Sequence, residues 1–420
     1  MINFGTLLRG LMLGVGLCVA VPAGGQDMTV ENPTAQGLVE WLTEFRPRAL
    51  AAGITADTLD QTLPRIRFRP DVVERDRKQD EFTRTIWDYL DKAVSDDRIA
   101  AGRKAATKYR AVLDRIETRY QVDRNVVLAI WGLESAYGAV RGDIPVLDAL
   151  ATLSYDARRG EFFEGELIGA LRIVEGGAVA PAQFVGSWAG ASGHTQFMPS
   201  SVLATAVDFA GAGQPDLWSE DPSDGLASAA AYLAKAGWQR RVPWGREVVL
   251  PAGFDVGQSG QRTQRPMAIW AGLGVTLAEG GTLPSDSWAA LMLPAGARGP
   301  AFLVTDNFAA IEAYNRADAY VIAVGHLADR IGGGAAIVQD WPRDLLALTL
   351  PERQEMQARL MAEGLYSGET DGKVGPLTHG AVKAFQVRQG MAADSYASLE
   401  VLTVLRAGQG PVVPVAVVPE

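Results

Sequence analysis

Glu134 stands in an apolar stretch, Val127-Leu128-Ala129-Ile130-Trp131-Gly132-Leu133-Glu134. On a helix it shares a face with Ile130 and Trp131, and with Val127 one turn earlier. Burial among such neighbours disfavours the charged form of a carboxyl and keeps it protonated. The negative end of the helix dipole pushes the same way. A carboxyl tuned like this can protonate an ether oxygen, which is the first need of glycosidic bond cleavage. Periodicity alone leaves open a structural glutamate paired with an arginine. No second acid lies within a turn of Glu134 on that face. Asp143 and Asp148 follow, and Asp148, inside the apolar run Val146–Leu153, reads as a backbone-bonding residue.

Several elements must hold this group. Asp123 reads as the N-cap of a helix over 124–136, with Gly138 as its stop. Residues 34–236 carry mostly three- and four-residue apolar spacing, as in Phe82, Ile86, Tyr89, Leu90 and Val94. Between about 245 and 310 short β-prone runs are separated by Pro and Gly, which predicts a small β-rich insertion. Helical spacing returns over 307–331. Gly332-Gly333-Gly334 and Pro342 mark a boundary, and 345–407 reads as a separate unit, followed by a Pro/Val-rich disordered tail over 408–420.

Composition narrows the partners. The chain has 420 residues, 48% of them hydrophobic, and a net charge of −10. An acidic surface argues against nucleic acid as the main partner, but not against a mostly neutral glycan. Residues 1–26 read as a cleaved signal peptide: Arg9, then an apolar stretch too short for a stable membrane span, then small residues. Cys18, the only cysteine, lies within it. Leu17 before it disfavours a lipoprotein anchor, and the mature chain would carry no thiol. The three histidines include His194 and His326, which complete no metal or nucleophile set.

Three motifs in one order carry a resemblance. They are Ile130-Trp-Gly-Leu-Glu134-Ser-Ala-Tyr-Gly138, with Ile144 to Tyr155 behind it; Gly186-Ser-Trp-Ala-Gly-Ala-Ser-Gly-His-Thr-Gln-Phe-Met-Pro-Ser-Ser201; and Ala313-Tyr-Asn-Arg-Ala-Asp-Ala-Tyr320. Over roughly 35–343 the chain resembles the type B lytic murein transglycosylases. That family cleaves the β-1,4 bond between N-acetylmuramic acid and N-acetylglucosamine and leaves a 1,6-anhydromuramoyl end. The resemblance implies a lysozyme-like helical catalytic domain over 27–343 and makes Glu134 the single acid and base. It places Ser187 and Gln196 beside the sugar N-acetyl group, and Tyr232, Tyr314, Asn315 and Tyr320 along the glycan cleft. The Gln196 amide can donate and accept. The run 186–201 holds no Lys or Arg, so it suits a close-lying sugar better than a phosphate.

Some members of that family carry a calcium loop after the Gln-Phe-Met-Pro motif. Here Ala210 and Ala212 stand where oxygen ligands would be expected, so no metal is expected, and no cofactor. Residues 345–407 resemble a small three-helix peptidoglycan-binding domain, through Leu350 to Leu360, Asp371-Gly372, Gly375-Pro376 and Ala381 to Gln386. Such a tethered module raises the local concentration of an enzyme on an insoluble polymer. The fold expected is mainly α, of α+β type. The function expected is an exported, periplasmic enzyme acting on peptidoglycan strands, with other cell-wall enzymes as further partners. A hydrolytic muramidase and a non-catalytic cell-wall scaffold stand as alternatives.

Overall fold

The helix that carries Glu134 runs Arg124–Ser135 and is capped as its sequence suggests: the Asp123 side chain accepts from the Asn125 N–H. Every residue from Val126 to Gly132 is buried, so the helix is a core element with neighbours on all sides. It stops one residue earlier than the pattern predicts. Ala136, Tyr137 and Gly138 are successively left-handed, at φ 49°, 58° and 87°, and turn the chain away.

The computed structural model describes residues 29–77, 85–261, 263–284 and 287–408. The expected signal peptide, Cys18 and nearly all of the expected tail lie outside them. The chain is mostly helical. One apolar core gathers around the Glu134 helix and its partners Asp96–Lys108, Arg110–Tyr120, Ser223–Lys235 and Asp318–Ile331. A second gathers around Ala35–Ala51, Val146–Asp156 and Gly160–Glu175. Tyr314 packs against both.

Strands β1 (Ile144–Pro145) and β2 (Val185–Gly186) form a small ribbon. The remaining strands are β3 (Gly245–Val249), β4 (Arg265–Pro266), β5 (Thr276–Leu277), β6 (Trp288–Met292) and β7 (Ala301–Val304). They make an antiparallel sheet in the order β4-β6-β7-β3-β5. Its two faces go to different places. Ala290, Met292, Phe302 and Val304 join the helical core around Glu134. Ala289, Leu291, Ala301 and Leu303 face the other way, with Met267 and Trp270. Burial on both faces explains why Ala289 to Leu293 is continuously apolar rather than alternating. The helix Met267–Gly272 within this region lacks a sequence signal long enough to foresee.

The C-terminal helices Leu350–Ala362, Pro376–Arg388 and Leu399–Gly408 close their own core of Met356, Leu360, Val382, Phe385, Leu402 and Leu405. Thr349 and Glu352 form a capping box on the first. The Gln357 carboxamide holds the Asp371-Gly372 turn, accepting from Gly372 N at 2.7 Å and donating to Lys373 O at 3.0 Å. This unit also touches the sheet region. Lys383 Nζ donates to Ser259 O at 2.8 Å, and Ala297 N donates to Asp394 Oδ2 at 2.8 Å.

Candidate active site

Glu134 is half-buried at the last turn of its helix. The Tyr320 phenol donates a hydrogen bond to its Oε1. Tyr320 sits at the third position of the helix Asp318–Ile331 and is only 5% exposed. Tyr314 precedes that helix, in the turn after Asp306–Glu312; a spacing of six would put the two tyrosines on different faces of one helix, but they reach one site from different elements. The Tyr314 phenol donates to Thr195 O at 2.5 Å. Burial, then the Glu134 carboxylate, pushes both phenols well above their ordinary range. Both therefore stay protonated and serve as donors.

The glycine-rich segment is fastened to the turn after the Glu134 helix. Ser135 Oγ donates to His194 O at 2.6 Å, and Trp131 Nε1 donates to His194 Nδ1 at 3.2 Å. His194 Nε2 then donates to Ser219 O, 2.9 Å away. Its burial pushes the imidazole pKa down, consistent with this neutral tautomer. Gly142 lies so close to the strand β2 end that a Cβ there would sit 2.1 Å from Gly186 O. Arg141 bridges the same parts, donating to Trp218 O and Ser219 O at 2.8 and 2.7 Å.

The remaining candidates divide. Gln196, at φ 49°, donates from Nε2 to Arg141 O at 3.1 Å and Gly193 O at 2.9 Å, so its carbonyl is the group left to accept. Ser187 Oγ accepts from Ala191 N at 3.1 Å and shapes its turn. Tyr232 donates to Ala313 O at 2.7 Å and meets the Tyr314 ring at 5.2 Å. Asn315 is exposed, and its Oδ1 accepts from Ala317 N at 3.0 Å just before the Tyr320 helix. Asp148 accepts from Arg67 N at 2.9 Å, as a backbone-bonding residue does. His194 and Arg141 are the positioning residues that sequence reasoning passes over. Only the buried Trp131, three residues before Glu134, hints at a partner.

The loop after the motif spends its carboxylates on its own backbone. Asp208 accepts from Gly211, Ala212 and Gly213 N–H groups, at 2.7, 2.9 and 2.8 Å. The buried Asp224 accepts from Phe209, Ala210 and Asp216 N–H groups, each at 2.8 Å. Asp216 accepts from Trp218 and Ser219. These bonds engage both oxygens of Asp208 and Asp224 and one of Asp216 with the backbone.

A lysozyme-like helical body with one half-buried carboxyl under a phenol defines a glycan-cleaving class of protein. Residues 37–329 match the transglycosylase SLT domain family, and the chain belongs to that family. Residues 349–405 match the putative peptidoglycan binding domain. The membrane-bound lytic murein transglycosylase B of Escherichia coli K12 is 34% identical over 246 residues, which are 58% of this chain and 66% of that protein's length. The crystal structure of SltB3 from Pseudomonas aeruginosa in complex with NAG-anhNAM-pentapeptide is 44% identical, at TM-score 0.84, covering 88% of this chain and 100% of that one. The Escherichia coli lytic transglycosylase Slt35 in complex with calcium is 29% identical, at TM-score 0.59, covering 72% of this chain and 93% of that one.

Proposed function

We infer that this protein is a peptidoglycan lytic transglycosylase in which Glu134 acts as acid and then as base. The observation that carries this is the Tyr320 hydrogen bond onto Glu134, in a member of the SLT family. The Glu134 carboxyl protonates the bridging oxygen as the bond to muramic acid C1 breaks. The sugar C6 hydroxyl attacks C1 and returns its proton to the Glu134 carboxylate. No water is consumed, and the product closes as a 1,6-anhydro ring. The usual second carboxylate of glycosidases has no place in this scheme. Tyr320 steadies the carboxylate formed between the two proton transfers. The Gln196 carbonyl and the Tyr232 and Tyr314 rings offer an acceptor and aromatic faces to the glycan; Ser187 and Asn315 act by shaping the turns around it.

Support for the substrate comes from the relative crystallised with NAG-anhNAM-pentapeptide and from the C-terminal domain match. We further propose that residues 27–343 and 345–407 are the catalytic and wall-binding units, with other cell-wall enzymes as partners. The protein acts in the periplasm after loss of its signal peptide. Among the described residues no helix is long and apolar enough to cross a membrane.

Mass spectrometry of digested sacculi tests the reaction. Anhydro products, one water lighter than hydrolytic ones, are expected; reducing ends would identify a hydrolytic muramidase instead. Glu134→Gln should abolish either product, and unchanged clearing would remove Glu134 from the mechanism.

A further inference from the structure

A cavity of about 420 Å³ lies at the opposite end of the Glu134 helix. Asn125, on its wall, is nine residues from Glu134, or about 14 Å along a helix. The cavity is bounded by the first turn of the Glu134 helix, the last turns of Asp318–Ile331, strand β3 and the segment 332–338. Glu247 pins that last segment, accepting from Val338 N at 2.7 Å and Gln339 N at 2.8 Å. The site is thus assembled from five separate parts of the chain, residues 123–126, 238–247, 279, 302 and 326–338.

Its polar groups are of both signs and are incompletely used. Arg241 makes no hydrogen bond or ion pair among the described residues, and its backbone is left-handed, at φ 64°. A non-glycine residue held there is costly, and such residues gather at functional sites. His326 also lines the cavity and has no hydrogen-bond partner among the described residues; burial pushes its pKa down to about 4, so it is a neutral acceptor. Asp329 receives one bond, from Trp244 Nε1 at 2.9 Å, on one of its two oxygens. The indole N–H of Trp238, a lining residue, is buried without an acceptor.

We propose that this cavity is a second, non-catalytic site for a short zwitterionic peptide. Its carboxylate would meet Arg241, and its ammonium group Asp329 and the His326 imidazole. The volume falls within the range of small-ligand sites and suits a di- or tripeptide. Of the two lining guanidiniums, Arg246 is paired with Glu279 at 3.6 Å and Arg241 has no ion pair among the described residues; a neutral sugar would leave the Arg241 charge unused, and a simple anion would face the Asp329 carboxylate. The site bears on the active centre because its walls are the far ends of the two helices that hold Glu134 and Tyr320 together.

Calorimetric titration of the full-length Glu134→Gln protein with D-alanyl-D-alanine tests this without chemistry intervening. One molecule should bind, with a Kd of about 1 mM or tighter. The N-acetylated, C-amidated dipeptide should bind at least about tenfold more weakly, as should the free dipeptide to Arg241→Gly, whose glycine suits the left-handed backbone. Asp329→Asn should weaken binding similarly. No binding at about 10 mM dipeptide, equal binding of the capped form, or indifference to Arg241→Gly would each overturn the site. Binding of N-acetylglucosamine in place of the dipeptide would overturn the ligand class. None of these results depends on whether the reaction product is anhydro or reducing.

Discussion

The Tyr320 phenol donates to Glu134 Oε1 across 186 residues of chain. The helices that bear them pack side by side, and their shared core includes Val127, Ile130, Val324 and Leu327. Tyr320→Phe keeps the ring in its buried place and removes only the donor. The turnover number should fall about 10- to 100-fold, while KM changes little. Loss of the donor favours the protonated acid, so the alkaline limb of the rate profile, where the acid loses its proton, should move to higher pH. A pH–rate profile on purified sacculi measures both. A rate and profile unchanged by the substitution would mean that the phenol serves only packing.

His194 holds the turn after the catalytic helix through Trp131, Ser135 and Ser219. Gly138 lies against it: at φ 87°, a Cβ would fall 2.8 Å from His194 Nδ1. Gly138→Ala therefore combines backbone strain with a clash and should cost about 2 kcal/mol or more. His194→Ala leaves the indole N–H and the Ser219 carbonyl without their partner, at about 1–3 kcal/mol. Urea unfolding measures both. Because each disturbs the same contact, the double variant should lose less than the sum of the two.

How much of this was legible in the sequence depends on the range of the interaction. The N-cap Asp123 and the apolar Glu134 helix are set within a few residues, and they read correctly; the Thr349 capping box is equally local but shows only in the structure. The two-faced burial of β6 and β7 shows as an apolar run, although the run does not say what covers each face. Tyr314 and Tyr320 read as cleft aromatics only through family resemblance, and the phenol on Glu134 has no local signal at all. His194 is similar: its partners lie 63 and 25 residues away, and no spacing rule reaches that far. The cavity at Arg241 is further still from sequence reasoning, since five separate segments build it.

The loop from Asp208 to Ser219 is held by carboxylates that accept backbone N–H groups. Asp224, only 2% exposed, takes three of them. Asp224→Ala would strand those donors and should destabilise the protein by about 2–4 kcal/mol. Asp224→Asn, which keeps an acceptor, should cost less. Calcium should not raise the melting temperature of the wild-type protein, and chelation should leave activity intact, because the oxygens are already engaged. A calcium-dependent rise in melting temperature would show that the loop can rearrange around an ion.

His326 and Asp329 lie one turn apart on Asp318–Ile331, and their titrations oppose each other. Burial lowers the His326 pKa from 6.5 to about 4. Between these values the unfolded chain binds a proton that the folded chain does not, so this group makes stability rise with pH. Burial raises the Asp329 pKa from 3.8 to about 6, against the pull of the Trp244 N–H. Here the folded chain holds a proton that the unfolded chain has lost, so stability falls as pH rises through that window. The wild-type curve should therefore be flatter than either group alone would make it. Relative to wild type, Asp329→Asn should gain stability steadily from pH about 4 to about 6, and His326→Gln should lose it from about 4 to about 6.5. Urea midpoints across this range resolve the two slopes, and parallel curves for all three proteins would show that neither group titrates differently on folding.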